Sequence, residues 1–148
     1  MKVLIVNGPN LDLLGSRETV IYGTKTLSEL EDELEAYCRK ELRGVTLFFG
    51  RSNREGEIIE LLNSGHKKFD ALIINPGALA YQSFVLRDSV AAFPGPRVVV
   101  HISNIFAREP FRRNDLVAEV ADGLVCGLGA DGYRLALDAV VAELSRKA

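Results

Sequence analysis

The sequence predicts a doubly wound α/β fold, a parallel sheet of five strands covered by helices on both faces. Short runs of branched apolar residues recur at 3–6, 45–49, 71–74, 98–102 and 123–126. Each is continuous rather than alternating, the pattern of strands covered on both sides. Between the runs the apolar period becomes helical, so strand and helix alternate along the whole chain. Right-handed crossovers then make the sheet parallel.

The elements follow in order. The first strand ends in the turn Asn7-Gly8-Pro9-Asn10, and a long connection, 7–25, leads to the first helix. Thr26 opens that helix and Glu29 completes a capping box. Leu27, Leu30, Leu34, Tyr37 and Leu42 fall roughly on one of its faces. The second strand ends at Gly50-Arg51-Ser52-Asn53, and Ile58, Ile59, Leu61 and Leu62 imply a second helix before Gly65. The third strand ends at Asn75-Pro76-Gly77-Ala78, with a third helix carried by Phe84, Val85, Leu86 and Val90 before Pro94. The fourth strand holds His101 and is followed by a second long connection, 103–118; the last helix covers 132–145. The whole, 1–148, reads as a single domain with the flavodoxin-like strand order 2-1-3-4-5.

Composition agrees with one globular unit: 148 residues, 47% apolar, formal net charge −2. No apolar run approaches the roughly 20 residues that span a bilayer, and no charged-then-apolar leader precedes the first strand. The expectation is a soluble, cytoplasmic protein. A near-neutral balance lacks the basic stripe that nucleic acid demands, and Arg112 and Arg113 alone do not make one. Cys38 and Cys126 form no CxxC pair, so they read as two ordinary half-buried thiols.

In an open α/β sheet, ligands bind beyond the carboxyl ends of the strands where the strand order reverses. Four strand ends here carry Asn7 and Asn10, Ser52 and Asn53, Asn75, and His101 with Ser103 and Asn104. Any one such tip is explained by turn chemistry; all four together point to a small-molecule site. His101 is a candidate acid or base, because imidazole titrates near neutral pH, or else a core histidine satisfied by backbone. In the first long connection, Arg17 and Tyr22 form a second pairing. A guanidinium beside a phenol favours the phenolate, which makes Tyr22 a candidate base, or else a packing or lid residue. His66, after Gly65 and before Lys67 and Lys68, reads as solvated.

Other signatures fail. Gly127-Leu128-Gly129-Ala130-Asp131-Gly132 matches GxGxxG, but no later strand or acidic residue follows to hold a ribose, so it reads as a tight strand-to-helix turn. No Walker loop, GxSxG elbow or HExxH is present, and two histidines give no metal-ligand spacing.

The chain resembles the type II 3-dehydroquinate dehydratases along nearly its whole length. The resemblance rests on Asn7-Gly8-Pro9-Asn10-Leu11, Arg17-Glu18 with Ile21-Tyr22-Gly23, and Ser52-Asn53 with Glu55-Gly56-Glu57. It continues in Asn75-Pro76-Gly77-Ala78, Leu86-Arg87-Asp88, the stretches 101–104 and 107–112, and Cys126-Gly127-Leu128-Gly129. It implies dehydration of 3-dehydroquinate to 3-dehydroshikimate, a step of shikimate and quinate metabolism, by anti elimination through an enolate without cofactor or metal. Tyr22 would be the base, held as phenolate by Arg17. Asn10 and Pro9 would position a water at the enolate oxygen, and His101 would protonate the leaving hydroxyl. The substrate would be bound by Asn75, Tyr81, Arg112 and the backbone of Ile102 and Ser103. Asp88 would come from a neighbouring subunit of a homododecamer built from trimers.

The chain departs from the family pattern at several strand ends. Val99 stands where a glutamate usually orients the catalytic histidine, and Tyr81 where a histidine usually contacts substrate. Arg51, Arg54, Asp12 and Phe106 replace a glutamine, a histidine, an asparagine and a histidine. These changes leave a second expectation open, a non-catalytic or altered-specificity homologue that binds a related cyclic hydroxy-acid. A flavodoxin-like cofactor carrier or phospho-receiver rests on fold analogy alone.

Overall fold

The computed structural model describes residues 1–147. Five parallel strands, β1 (Lys2–Asn7), β2 (Thr46–Arg51), β3 (Ala71–Asn75), β4 (Arg97–His101) and β5 (Gly123–Cys126), form one sheet in the order β2-β1-β3-β4-β5. The expected strand order is therefore observed. Side chains alternate across each strand, and this divides the core in two. Val3, Ile5, Ile73, Val98 and Val100 pack on one face beneath α2 (Leu27–Glu41) and α5 (Asp131–Lys147). Leu4, Val6, Leu72, Ile74 and Val99 pack on the other beneath α3 (Glu55–Gly65) and α4 (Phe84–Ala91).

The central strands β1, β3 and β4 are buried along nearly their whole length, as their continuous apolar runs predict. The edge strands are not: β2 and β5 are half-exposed. A continuous apolar run does not distinguish a central strand from an edge that only one neighbour protects.

The helices start where their caps dictate. Thr26 Oγ1 accepts from the Glu29 backbone N–H at 3.2 Å and the Glu29 carboxylate accepts from the Thr26 N–H at 2.8 Å, so the capping box is complete. Burial of Leu27, Leu30, Leu34 and Cys38 then anchors α2, at about 1.5–3 kcal/mol per leucine. Ser83 caps α4 by accepting from Leu86 N–H at 2.9 Å. On α4 only Leu86 and Val90 are buried, while Phe84 and Val85 project outward at 67% and 59% exposure. The four apolar residues that mark this helix in the sequence are thus half uncovered. His66 also differs from expectation: it is half-buried, and its Nε2 meets the Ala92 carbonyl at 2.6 Å, tying the end of α3 to the end of α4.

Parallel pairing brings the strand ends level. Asn7 lies in register with Arg51 on one side and Asn75 on the other. The turns after β1 and β3 therefore interlock: Gly8 N–H donates to the Asn75 carbonyl at 2.8 Å, and a Cβ at Gly8 would lie 2.6 Å from the Pro76 carbonyl oxygen. Only glycine admits that approach. The glycines after β5 form the expected turn, with Gly127 and Gly129 both at positive φ.

Candidate active site

A cleft of about 610 Å³, partly open to solvent, lies beyond the carboxyl ends of β1, β3 and β4, at the strand-order reversal. Pro9, Asn10, Arg17, Tyr22, Asn75, Tyr81, His101, Ile102, Ser103 and Arg112 all line it. Of the residues given a catalytic or substrate-binding role from the resemblance, Asp88 alone lies elsewhere. It sits on α4 with its side chain 75% exposed, beside Arg87.

The loop after β1 supplies the first wall. Asn10 adopts a left-handed conformation, φ 67°, at the start of the 3-10 turn Leu11–Leu13, and spends no side-chain hydrogen bond on capping it. Its backbone N–H donates to Asn53 Oδ1 at 2.7 Å, and Asn53 Nδ2 donates to Asp12 at 3.1 Å. The loop after β2 thereby fixes where Asn10 sits. Among the described residues the other left-handed non-glycine residue is Glu18, φ 38°, which starts the four-residue helix α1 (Thr19–Tyr22). Such positions cost energy and gather at functional sites.

Tyr22 closes α1 and is half-buried. Arg17 lies across its ring, with Cζ 5.3 Å from the centroid, while its Nη2 donates to Glu18 at 2.6 Å. Arg17 is thus beside Tyr22, as expected, but over its ring face rather than in hydrogen-bond contact with its hydroxyl. Arg108 makes that contact instead, its Nη1 donating to the Tyr22 hydroxyl at 2.7 Å and to Ser103 Oγ at 3.2 Å. Arg108 belongs to the stretch that carried the family resemblance, yet spacing alone gave no sign that it would meet a residue from the β1 loop.

The wall from β3 rests on buried polar groups. Asn75 Nδ2 donates to the Tyr133 hydroxyl at 2.9 Å, and that hydroxyl donates to Asn7 Oδ1 at 2.6 Å. Asn75 Oδ1 accepts from Gly77 N–H at 3.2 Å. Burial pushes the Tyr133 phenol far above its ordinary value, so it serves as a neutral donor. Asn7 lies behind the cleft, as a support for Asn75 rather than a wall residue. Its Nδ2 is buried without a partner among the described residues.

On the opposite sheet face, His101 Nε2 lies 2.7 Å from Asp115 Oδ2, both side chains buried at about one-twentieth exposure. The position two residues earlier, Val99, is fully buried in the apolar cluster. The carboxylate partner of His101 therefore comes from the loop after β4 and not from its own strand. Sequence reading missed Asp115. The available sign was a carboxylate preceding a helical turn, since Asp115 Oδ1 accepts from Val117 and Ala118 N–H at 3.0 and 2.9 Å.

Tyr81 stacks on His101, centroids 6.1 Å apart and planes 14° from parallel. Burial raises its phenol above the ordinary value against the pull of Arg112, so it stays neutral. Arg112 is held by Glu109 at 2.6 Å and reaches over Tyr81. The cleft thus carries three guanidinium groups, Arg17, Arg108 and Arg112, which suits an anionic ligand. Among the described residues, no group of three or more His, Cys, Asp or Glu side chains is placed to hold a metal ion, and no helix is long and apolar enough to cross a membrane.

Fold and cleft together define a flavodoxin-like protein in which a guanidinium-bound phenol and a carboxylate-bound imidazole open on one pocket lined by three guanidinium groups. The family model described as Dehydroquinase class II matches residues 1–141, and the chain belongs to that family. A 3-dehydroquinate dehydratase of Pelotomaculum thermopropionicum is 46% identical over 142 residues, covering 96% of this chain and 97% of its own. One from Methylococcus capsulatus is 47% identical over 140 residues, covering 94% and 93%. The crystal structure of a type II dehydroquinase from Butyrivibrio crossotus superposes with a TM-score of 0.90 at 36% identity, covering 95% of this chain and 97% of that one.

Proposed function

We propose that this protein dehydrates 3-dehydroquinate to 3-dehydroshikimate through an enolate, with Tyr22 as base and His101 as acid. The observation that carries this is the placement of Tyr22 on Arg108 and of His101 on Asp115 within one cleft. The family and the relatives' common activity supply the substrate.

In this reading Tyr22, its phenolate charge offset by Arg108 at the oxygen and Arg17 over the ring, takes the proton alpha to the ketone. The electron pair moves into an enolate, whose oxygen is met by a water that Asn10 and Pro9 position. Donors fixed before the charge develops are the largest common source of rate enhancement. The enolate then collapses to the conjugated alkene as the hydroxyl leaves with a proton from His101, and the sum is loss of one water. Arg112, Asn75 and Tyr81 hold the ring substituents, and the Ile102 and Ser103 N–H groups take the carboxylate.

Asp88 enters this scheme from a neighbouring subunit of a trimer-based dodecamer. Uncovered Phe84 and Val85 beside it on α4 support such a contact. Light scattering of the purified protein tests the assembly, and a monomer would remove Asp88 from the site.

The decisive assay is the rise of enone absorbance when the purified protein meets 3-dehydroquinate. Tyr22→Phe should lower kcat by about 100-fold or more, the ordinary contribution of a placed proton acceptor. Equal rates for the two proteins would end the proposal. Tyr81, a neutral phenol where the family pattern has a histidine, favours a second reading in which a related cyclic hydroxy-acid is preferred. Tight binding of 3-dehydroquinate without turnover would favour that one.

A further inference from the structure

We infer that Asp115 is the positioning residue for His101, supplying from the loop after β4 the carboxylate that orients the acid. The inference rests on the dehydratase reading and adds a residue to it.

The geometry is specific. Asp115 Oδ1 is occupied by the N–H groups of Val117 and Ala118 at 3.0 and 2.9 Å, so the carboxylate cannot rotate and its Oδ2 is aimed at His101 Nε2, 2.7 Å away. The Tyr81 ring runs nearly parallel to the imidazole, centroids 6.1 Å apart, on the face of the ring rather than at its nitrogens. Nδ1 has no hydrogen-bond partner among the described residues and is not sealed from solvent, and His101 lines the cleft. One ring nitrogen is thus held by protein and the other is left for the substrate.

Charge argues the same way. An imidazole that donates a proton carries a positive charge beforehand, in a cleft that already holds Arg17, Arg108 and Arg112. A buried anion in contact with the ring offsets that charge. Val99 cannot, since it is an apolar side chain within the sealed cluster. Asp115 reaches the ring across a separation of 14 residues, so the function belongs to the folded loop and not to the strand.

Asp115→Asn tests this, because the amide oxygen preserves the cap on Val117 and Ala118 while the negative charge is lost. kcat should fall about 10–100-fold or more, taking as a guide the loss of a carboxylate behind a metal-bound histidine. KM should change less than about threefold and the melting temperature by only a few degrees, as expected for a chemical and not a structural loss. Asp115→Ser, which keeps a capping oxygen in a smaller side chain, should behave alike.

The long-range proton–nitrogen spectrum of the histidines gives a readout independent of turnover. Neutral His101 should carry its proton on Nε2 in the wild type and lose that preference in Asp115→Asn. The inference is overturned if Asp115→Asn turns over within twofold of wild type, if the His101 nitrogen signals are unchanged, or if both variants lose activity only by unfolding. A wild type inert toward 3-dehydroquinate would instead overturn the dehydratase reading, and the nitrogen signals would still decide whether Asp115 sets the state of His101.

Discussion

Arg108 donates to the Tyr22 hydroxyl at 2.7 Å across 86 residues of chain, while Arg17, five positions from Tyr22, lies over the face of the same ring. The two guanidinium groups therefore meet one phenol from different directions, one at the oxygen and one at the π face. A charge-assisted hydrogen bond is worth about 1.5–3 kcal/mol.

That bracket predicts coupled effects. Arg108→Met and Arg17→Met should each lower kcat by about tenfold or more, and the double variant should lose less than the product of the two, because both act on one group. Steady-state rates of the three variants check this. Wild-type kcat in either single variant would remove that arginine from the proposed phenolate.

Tyr133→Phe should weaken both fold and site. Its hydroxyl joins Asn75 to Asn7 in a fully buried chain. Removing it strands two amide groups, at about 1–3 kcal/mol, which lowers the melting temperature by several degrees in a chain of this size. Because Asn75 is proposed to bind substrate, KM should rise more than kcat falls. A melting temperature equal to wild type would show that the buried chain is not coupled to stability.

Glu109 predicts a difference confined to acid. The Arg112 hydrogen bond holds its carboxyl down at about 2 against an ordinary 4.5. A carboxyl lowered on folding contributes stability that is complete above its unfolded value and disappears as pH falls through the folded one. Glu109→Gln should therefore melt slightly below wild type above about pH 4.5, with the gap closing toward about pH 2. The gap is small because Glu109 is exposed to solvent, and thermal denaturation in a pH series measures it. A gap that persists at pH 2 would mean Glu109 acts through packing and not through its charge.

Val99→Glu would restore the family's usual side chain, yet it should not speed turnover. Val99 is fully buried among apolar side chains and His101 already holds a carboxylate. An added buried charge costs several kcal/mol or stays protonated, so the variant should melt lower and turn over no faster. A faster variant would show that Asp115 does not fill the role.

Much of the architecture was legible in the chain itself. Branched apolar runs marked the strands, Thr26 and Glu29 marked the start of α2, and the reversal of strand order located the cleft before any side chain was placed. These signals are local: periodicity, capping chemistry and turn residues act over a few positions, and parallel pairing then brings Asn7, Asn75 and His101 to one end of the sheet. The same locality explains what was not legible. Runs at β2 and β5 resemble central strands, because exposure depends on a neighbour that local sequence does not name. Phe84 and Val85 mark a helix in the sequence, but that they stay uncovered on it is decided by neighbours in the same way.

Within the site, the sequence by itself determined which chemical groups the cleft would hold: a phenol, an imidazole, amides and guanidinium groups near strand ends. The tertiary structure decided how they are paired. Arg108 rather than Arg17 meets the Tyr22 hydroxyl, Asp115 stands behind His101 where Val99 cannot, and Tyr133 links Asn75 to Asn7. Each partner arrives from a different loop or helix, and a hydrogen bond forms only within about 3 Å. That distance is set by how the whole chain packs and not by spacing along it.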